Sequence, residues 1–374
     1  MKLLNHIAAF ALATSVAGPS LAQSTYDFRL GPASPPPHPA YSHLYLPFQE
    51  QLPKESDGRL TGTIYGMDVA GLKEMQGALS SNLIEIGLLL QTYFPADFPE
   101  ASLTADLALQ GRNPHAMAAA VTEYIVNCAP CQDEMKSFGG IFLGSGSSDV
   151  YVLISKEPLS SIEDIAGQRL RVSTATFGRL AEAIGAVPVS IASNDTFEAM
   201  SQGTLDGSMA SVGDLVTQRL IDVAKYVTEV PLGTYHTTSG FTVNIGVWEG
   251  LSVEDRQAVA RAAIHGNVAF TQRWGYDLAK MTRQKGAEAG LQFVEPSEEL
   301  TAFVNDFAAN DVASAAKAAK EQYGVQDAAA KLASLEALVE KWEGLLADVN
   351  DPAEVEALIQ SEIWSKVDFE TYGL

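Results

Sequence analysis

Two arginines, two residues apart in Gly167-Gln-Arg-Leu-Arg-Val172, are the groups in this chain best suited to holding an anion. A guanidinium offers a planar fork of donors that matches a carboxylate, which the point charge of a lysine does not. Side chains of an extended segment repeat every two residues, so Arg169 and Arg171 fall on one face. Arg171 is nearer the carboxyl end of its segment, where open α/β sheets collect their ligands. Arg169 reads as an outer or supporting charge. Ser173 and Thr174 follow, suited either to donate hydrogen bonds beside Arg171 or to open the next helix. The competing role for Arg171 is an ion pair within its own lobe.

The cysteines are Cys128 and Cys131, spaced C-A-P-C. That spacing occurs in redox-active dithiols, and export favours its oxidation. A structural disulfide is the expected state. A catalytic dithiol wants a strand before it and a helix opening at Cys128, whereas a helical stretch, 114–126, precedes this pair. An exported thiol–disulfide oxidoreductase is therefore the alternative function. None of the histidines sits in an H-E-x-x-H or other ligand spacing. The run Gly144-Ser-Gly-Ser-Ser148 is neither a nucleophile elbow nor a dinucleotide loop, since Asp149 stands where the last glycine would be. With no phosphate or calcium loop either, the expectation is a binding protein rather than an enzyme, with no cofactor and no metal.

The elements that position Arg171 alternate strand and helix. The strand 168–172 leads to a helical stretch 174–184 with apolar Phe177, Leu180, Ala181 and Ile184, closed by Gly185. A strand at 187–191, a helix ending at Gly203 and a strand at 205–210 follow. The first part of the chain repeats this logic, with strands at 23–29, 59–65 and 83–89 and helices at 41–52 and 71–79. Two lobes of similar build are expected. Tyr93, in the loop Tyr-Phe-Pro-Ala-Asp-Phe-Pro99, Tyr151, Phe177 and Met209 are candidate walls of a cleft between them. The segment 149–155 carries the chain from one lobe to the other, 237–247 returns it, and 212–223 reads as helical. A helix opened by Ser252 meets no proline until Pro296, so it runs to about residue 285, close to 50 Å at ~1.5 Å per residue. That is longer than one lobe is wide. The alanine-rich remainder, 298–374, is helical.

The 374 residues leave room for two domains, and 47% hydrophobic with 19% charged residues is an ordinary globular balance. Residues 1–22 have one early lysine, an apolar run and a small-residue ending at Ala22, the pattern of a cleaved secretory signal. A periplasmic location is the expectation. A net charge of −22 without a basic cluster argues against nucleic acid and anionic lipid.

The stretches Gly167-Gln-Arg-Leu-Arg-Val172, Gly185-Ala-Val-Pro-Val189 and Phe197-Glu-Ala-Met-Ser-Gln-Gly-Thr-Leu-Asp-Gly207, with Trp248-Glu-Gly-Leu-Ser252 before the long helix, resemble the solute-binding proteins of tripartite ATP-independent periplasmic (TRAP) transporters, of the dicarboxylate-receptor type. The resemblance implies an α/β, two-lobed periplasmic binding protein fold with hinge strands and a long helix across both lobes. On that reading lobe I comprises 23–148 and about 235–270, and lobe II 149–234 and about 271–374 with the C-terminal helices. It also implies that Arg171 pairs with a ligand carboxylate, and that the partners are a small organic anion and the membrane subunits of a transporter. A ligand sensor without transport is the other use of such a fold. Sialic-acid members carry an asparagine where this chain has Ala210, and a second basic residue where it has Val150, Tyr151 and Val152. The metal-assisted keto-acid branch has a Glu-Trp pair where Ser208-Met209 stand. A more apolar cleft without metal is expected.

Overall fold

The computed structural model describes residues 25–236 and 238–374; the expected signal segment 1–22 lies outside them. Strands β1 (Tyr26–Gly31), β2 (Leu60–Ile64), β3 (Ile86–Leu89) and β4 (Gly140–Phe142) come first, then β5 (Val152–Ser155), β6 (Arg169–Val172), β7 (Val187–Ser190), β8 (Gly207–Ala210) and β9 (Tyr226–Thr228). β10 (Ser239–Asn244) returns to the first group and β11 (Gln292–Val294) to the second. They form two sheets, ordered β2-β1-β3-β10-β4 and β11-β9-β5-β8-β6-β7.

β1 pairs in parallel with β2 and β3, as β6 does with β7 and β8. Each sheet also holds one strand that runs against both neighbours, β10 in the first and β5 in the second. These two strands continue the paired segments that connect the lobes. Ser148 N–H donates to Tyr235 O at 2.9 Å, Tyr151 N–H to Gly233 O at 2.7 Å and Leu232 N–H to Tyr151 O at 3.0 Å. Central strands β3, β5 and β8 are buried along their length, in keeping with their mostly apolar or small residues. Pro188 lies on the edge strand β7, where its missing N–H breaks no ladder.

The helix Ala175–Ile184 buries Phe177, Leu180, Ala181 and Ile184 and ends at Gly185 with φ +89°, a left-handed cap. The long helix runs as Val253–Gln272, a π turn over Arg273–Asp277, and Leu278–Glu288. Its first part packs on the helix Leu46–Glu55 of the first lobe and its last part on β11 of the second.

Three local expectations shift. Residues 212–223 form only the short turns Asp214–Thr217 and Leu220–Asp222, because Arg219 between them takes φ +58°. The return strand stops at Asn244, whose side chain caps the helix Ile245–Gly250. The spacing of Ser160 and Glu163 reads as a capping box opening a short helix over 160–167, but the helix Ile162–Ile165 is capped by Ser161, which shares the box with Asp164.

The C-terminal helices, grouped with the second lobe on sequence, lie mainly on the first. Glu298–Tyr323 touches both lobes, whereas Ala328–Leu345 packs along Pro114–Asn127 and Pro352–Glu362 along Val253–Gln272. The cause is specific: Leu332, Leu335 and Trp342 are buried there, Lys331 pairs with Glu100 at 2.6 Å, and Lys341 and Trp342 Nε1 reach Glu123 at 2.8 and 2.7 Å.

Candidate functional site

Arg171 points from β6 into the seam between the lobes, and its side chain is among the largest that are fully buried. Its Nε donates to Ile191 O at 3.2 Å and its Nη2 to the Tyr93 hydroxyl at 3.2 Å. Among the described residues no carboxylate forms a salt bridge with it, and the Nη1 hydrogens have no protein acceptor. Tyr93 comes from the first lobe, just after β3, and its hydroxyl also accepts the N–H of Ser193 in the second at 3.1 Å. With both lone pairs engaged, the phenol keeps its own proton to donate.

Around this guanidinium lies a crevice with about 40 Å³ of space for water-sized molecules. His38, Leu88, Leu90 and Tyr93 line it from the first lobe, Arg171, Ser173, Asn194, Asp214 and Gln218 from the second, Tyr151 and Tyr235 from the hinge, and Phe270 and Trp274 from the long helix. The aromatic rings are continuous. Phe177 stacks on Tyr151 at 5.3 Å, Tyr151 faces Tyr235 at 6.3 Å, Tyr235 meets Trp274 at 6.2 Å and Trp274 meets Phe270 at 5.0 Å. Trp274 falls within the π turn of the long helix, a distortion that gathers at functional sites.

Among the described residues, two donors at the crevice stand unpaired. Ser173 Oγ and Trp274 Nε1 are buried without a partner in the protein. Burial pushes the His38 imidazole down to about 4, so it is neutral at pH 7. Its Nδ1 accepts the Ala40 N–H at 3.1 Å, which leaves the ring proton on Nε2. Burial pushes Asp214 up to about 6, against the opposing pull of Arg171 and of a hydrogen bond from Thr217. Asp149, at the start of the hinge segment, is raised by burial to about 7 although Ser211 and Arg283 favour its charge. A crevice with one fixed cation, unpaired donors and aromatic walls is suited to an organic anion.

Of the residues singled out on sequence, Arg171, Tyr93, Tyr151 and Ser173 meet at the crevice. Phe177 lies behind Tyr151, which covers it, and Met209 is turned into the sheet core; neither lines the space. Thr174 lines a neighbouring cleft of about 460 Å³ beside the helix Ala175–Ile184, and although it is that helix's first flanking residue its hydroxyl makes no cap bond. Arg169 pairs with Asp206 within its own lobe at 2.6 Å. His38, Asp214, Tyr235 and Trp274 were not anticipated. The first sits in a proline-rich loop and the others lie far apart in sequence, so no local spacing marks them.

Cys128 and Cys131 form a disulfide with an S–S distance of 2.04 Å. A helix opens there, the one of the two features a catalytic dithiol wants that the fold supplies: Cys128 flanks Ala129–Phe138 and its Sγ accepts the Cys131 N–H. What precedes it is the helix Pro114–Asn127 rather than a strand.

Residues 30–318 match the family of bacterial extracellular solute-binding proteins, family 7. The C4-dicarboxylate-binding periplasmic protein DctP of Rhodobacter capsulatus is 25% identical over 141 residues, 37% of this chain and 40% of that protein. A solute-binding protein of Roseobacter denitrificans is 28% identical over 148 residues, 38% of this chain and 43% of that one. The match thus spans less than half the length of these curated relatives. Among solved structures, a marine metagenome TRAP solute-binding protein in complex with metahydroxyphenylacetate is similar with a TM-score of 0.75 and 21% identity, covering 85% of this chain and 99% of that one. A TRAP periplasmic solute-binding protein of Bordetella bronchiseptica with bound mandelate gives 0.73 and 22%, over 84% and 99%. One of Rhodoferax ferrireducens with copurified benzoate gives 0.75 and 18%, over 86% and 99%. These likenesses concern the two-lobed fold. With its family match running over most of its length, the chain belongs to the bacterial extracellular solute-binding proteins of family 7.

Proposed function

We propose that this protein is the periplasmic receptor of a TRAP transporter, capturing a small organic acid, best an aromatic monocarboxylate, between its lobes for delivery to membrane subunits. The observation that carries the reading is Arg171, a buried guanidinium without a carboxylate partner among the described residues, at an interlobe crevice walled by Tyr151, Tyr235 and Trp274. A carboxylate placed on its free Nη1 edge gains charge-assisted bonds in a low-dielectric site. A flat ring suits the aromatic walls. Tyr93, from the first lobe, accepts from Arg171 and Ser193 of the second, so the arrangement that encloses the ligand also completes its donor set. The three solved relatives that hold benzoate, mandelate or metahydroxyphenylacetate support the aromatic preference.

The test is a thermal-shift panel of benzoate, mandelate, phenylacetate and C4-dicarboxylates on wild type, Arg171→Ala and Arg171→Lys. Ligands should raise the melting temperature of wild type by mass action, of the lysine variant in part and of the alanine variant not at all. Wild-type affinity in Arg171→Ala overturns the reading. We further propose that residues 1–22 are removed on export, which N-terminal sequencing of the periplasmic protein checks.

A further inference from the structure

We propose that Asp214 reads a hydroxyl group on the ligand, so that the acid this protein takes is a hydroxy acid, its carboxylate on Arg171 and its hydroxyl donating to Asp214. The inference rests on the receptor reading above. Asp214 is the one carboxylate among the described residues that line the crevice. It is 4% exposed, and among the described residues Thr217 is the one whose side chain hydrogen-bonds its carboxyl, at 3.1 Å to Oδ1. Arg171 and Asp214 face the same space without forming a salt bridge. The pair therefore presents a cation and an anion to one small volume.

An acid with no donor brings a second negative charge toward Asp214 and offers it nothing. An acid with a hydroxyl on its skeleton meets both groups, because the hydroxyl donates while the carboxylate accepts. A buried acceptor left unmatched is what lets a site reject an analogue that lacks the hydroxyl. The carboxyl is held for this role by its backbone: Asp214 begins a short turn after β8, its N–H donating to Ser211 O at 3.1 Å. The competing role, a remote counter-charge for Arg171, would affect all acids alike.

Calorimetric titration of the full mature protein with matched pairs separates the two. The pairs are 3-hydroxybenzoate with 3-fluorobenzoate, 4-hydroxybenzoate with 4-fluorobenzoate, and mandelate with phenylacetate. Wild type should prefer the hydroxylated member of at least one pair by about tenfold or more. Asp214→Ala should bring that ratio to within about threefold while leaving the donor-free member bound. Asp214→Asn, which keeps the shape and one acceptor oxygen, should fall between. A wild type with no such preference overturns the inference whether or not the variants fold. So does a ratio unchanged in both variants, or an equal loss for both members of a pair. If wild type binds none of these acids, the aromatic-acid reading on which the inference rests fails, and the inference with it.

Discussion

Arg169 and Arg171 occupy one strand, two residues apart, and have opposite fates. Arg169 is half exposed and fully answered by its own lobe: Nε and Nη2 reach the two oxygens of Asp206 at 2.9 and 2.6 Å, and its backbone N–H adds a third bond. These bonds hold the Asp206 carboxyl below its ordinary value. Arg171, nearer the strand's carboxyl end, is buried and answered by neutral oxygens of Ile191 and Tyr93. On the proposed reading, a strand arginine serves as a ligand anchor when it is desolvated and forms no salt bridge in its own lobe. Position along the strand decides which arginine meets that condition.

Exchanging the two roles by mutation should break the molecule in different ways. Arg171→Met should lower carboxylate affinity by about 10²-fold or more, since truncating one partner of a buried charge pair costs about 2–5 kcal/mol. The same change should leave the ligand-free protein as stable as wild type or more so, because it removes a buried charge with no ionic partner. A ligand-free melting temperature that collapses would place Arg171 among the supports of the fold instead. Calorimetry and thermal melts report both halves of this expectation.

Tyr93→Phe sharpens the contrast at smaller cost. It takes the shared acceptor from Arg171 and from the Ser193 N–H across the seam, so affinity should fall about tenfold, the effect of roughly 1–2 kcal/mol. Arg169→Ala should give no change in affinity and only a slight loss of resistance in urea unfolding, as a half-exposed ion pair allows.

Stability also responds to pH through groups the fold buries. Asp149, at the start of the hinge segment, has a folded value raised by burial to about 7, against about 4 in the unfolded chain. Between those values the native state binds the proton and the unfolded state does not, so this group adds stability as pH falls from 7 toward 4. His38 and His236, both pushed by burial down to about 4, act in reverse: the unfolded chain takes the proton first, and stability is lost below about 6.5. Asp149→Asn should therefore lose urea resistance more steeply on acidification than wild type. Parallel pH profiles of the two would refute the assignment.

Much of the frame was legible from local pattern. The strand–helix–strand run from Gly167 to Ala210, the Gly185 cap and the unbroken helix opened by Ser252 all follow from residue spacing and capping chemistry within a few turns of chain. The C-terminal helices were legible as helices, but which lobe they cover was not. That depends on Lys331, Lys341 and Trp342 meeting Glu100 and Glu123 more than 200 residues away.

The candidate site divides along the same line. The sequence by itself determined the arginine fork, its place at the end of a strand and the neighbouring serine, because those depend on neighbours in the chain. Only the tertiary structure decided that Arg171 rather than Arg169 is enclosed, that Tyr93 reaches it from the other lobe, and that His38, Asp214, Tyr235 and Trp274 complete the walls. Burial and pairing belong to the packed molecule: desolvation turns a side chain into a binding group, and the groups that desolvate Arg171 come from both lobes, the hinge and the long helix.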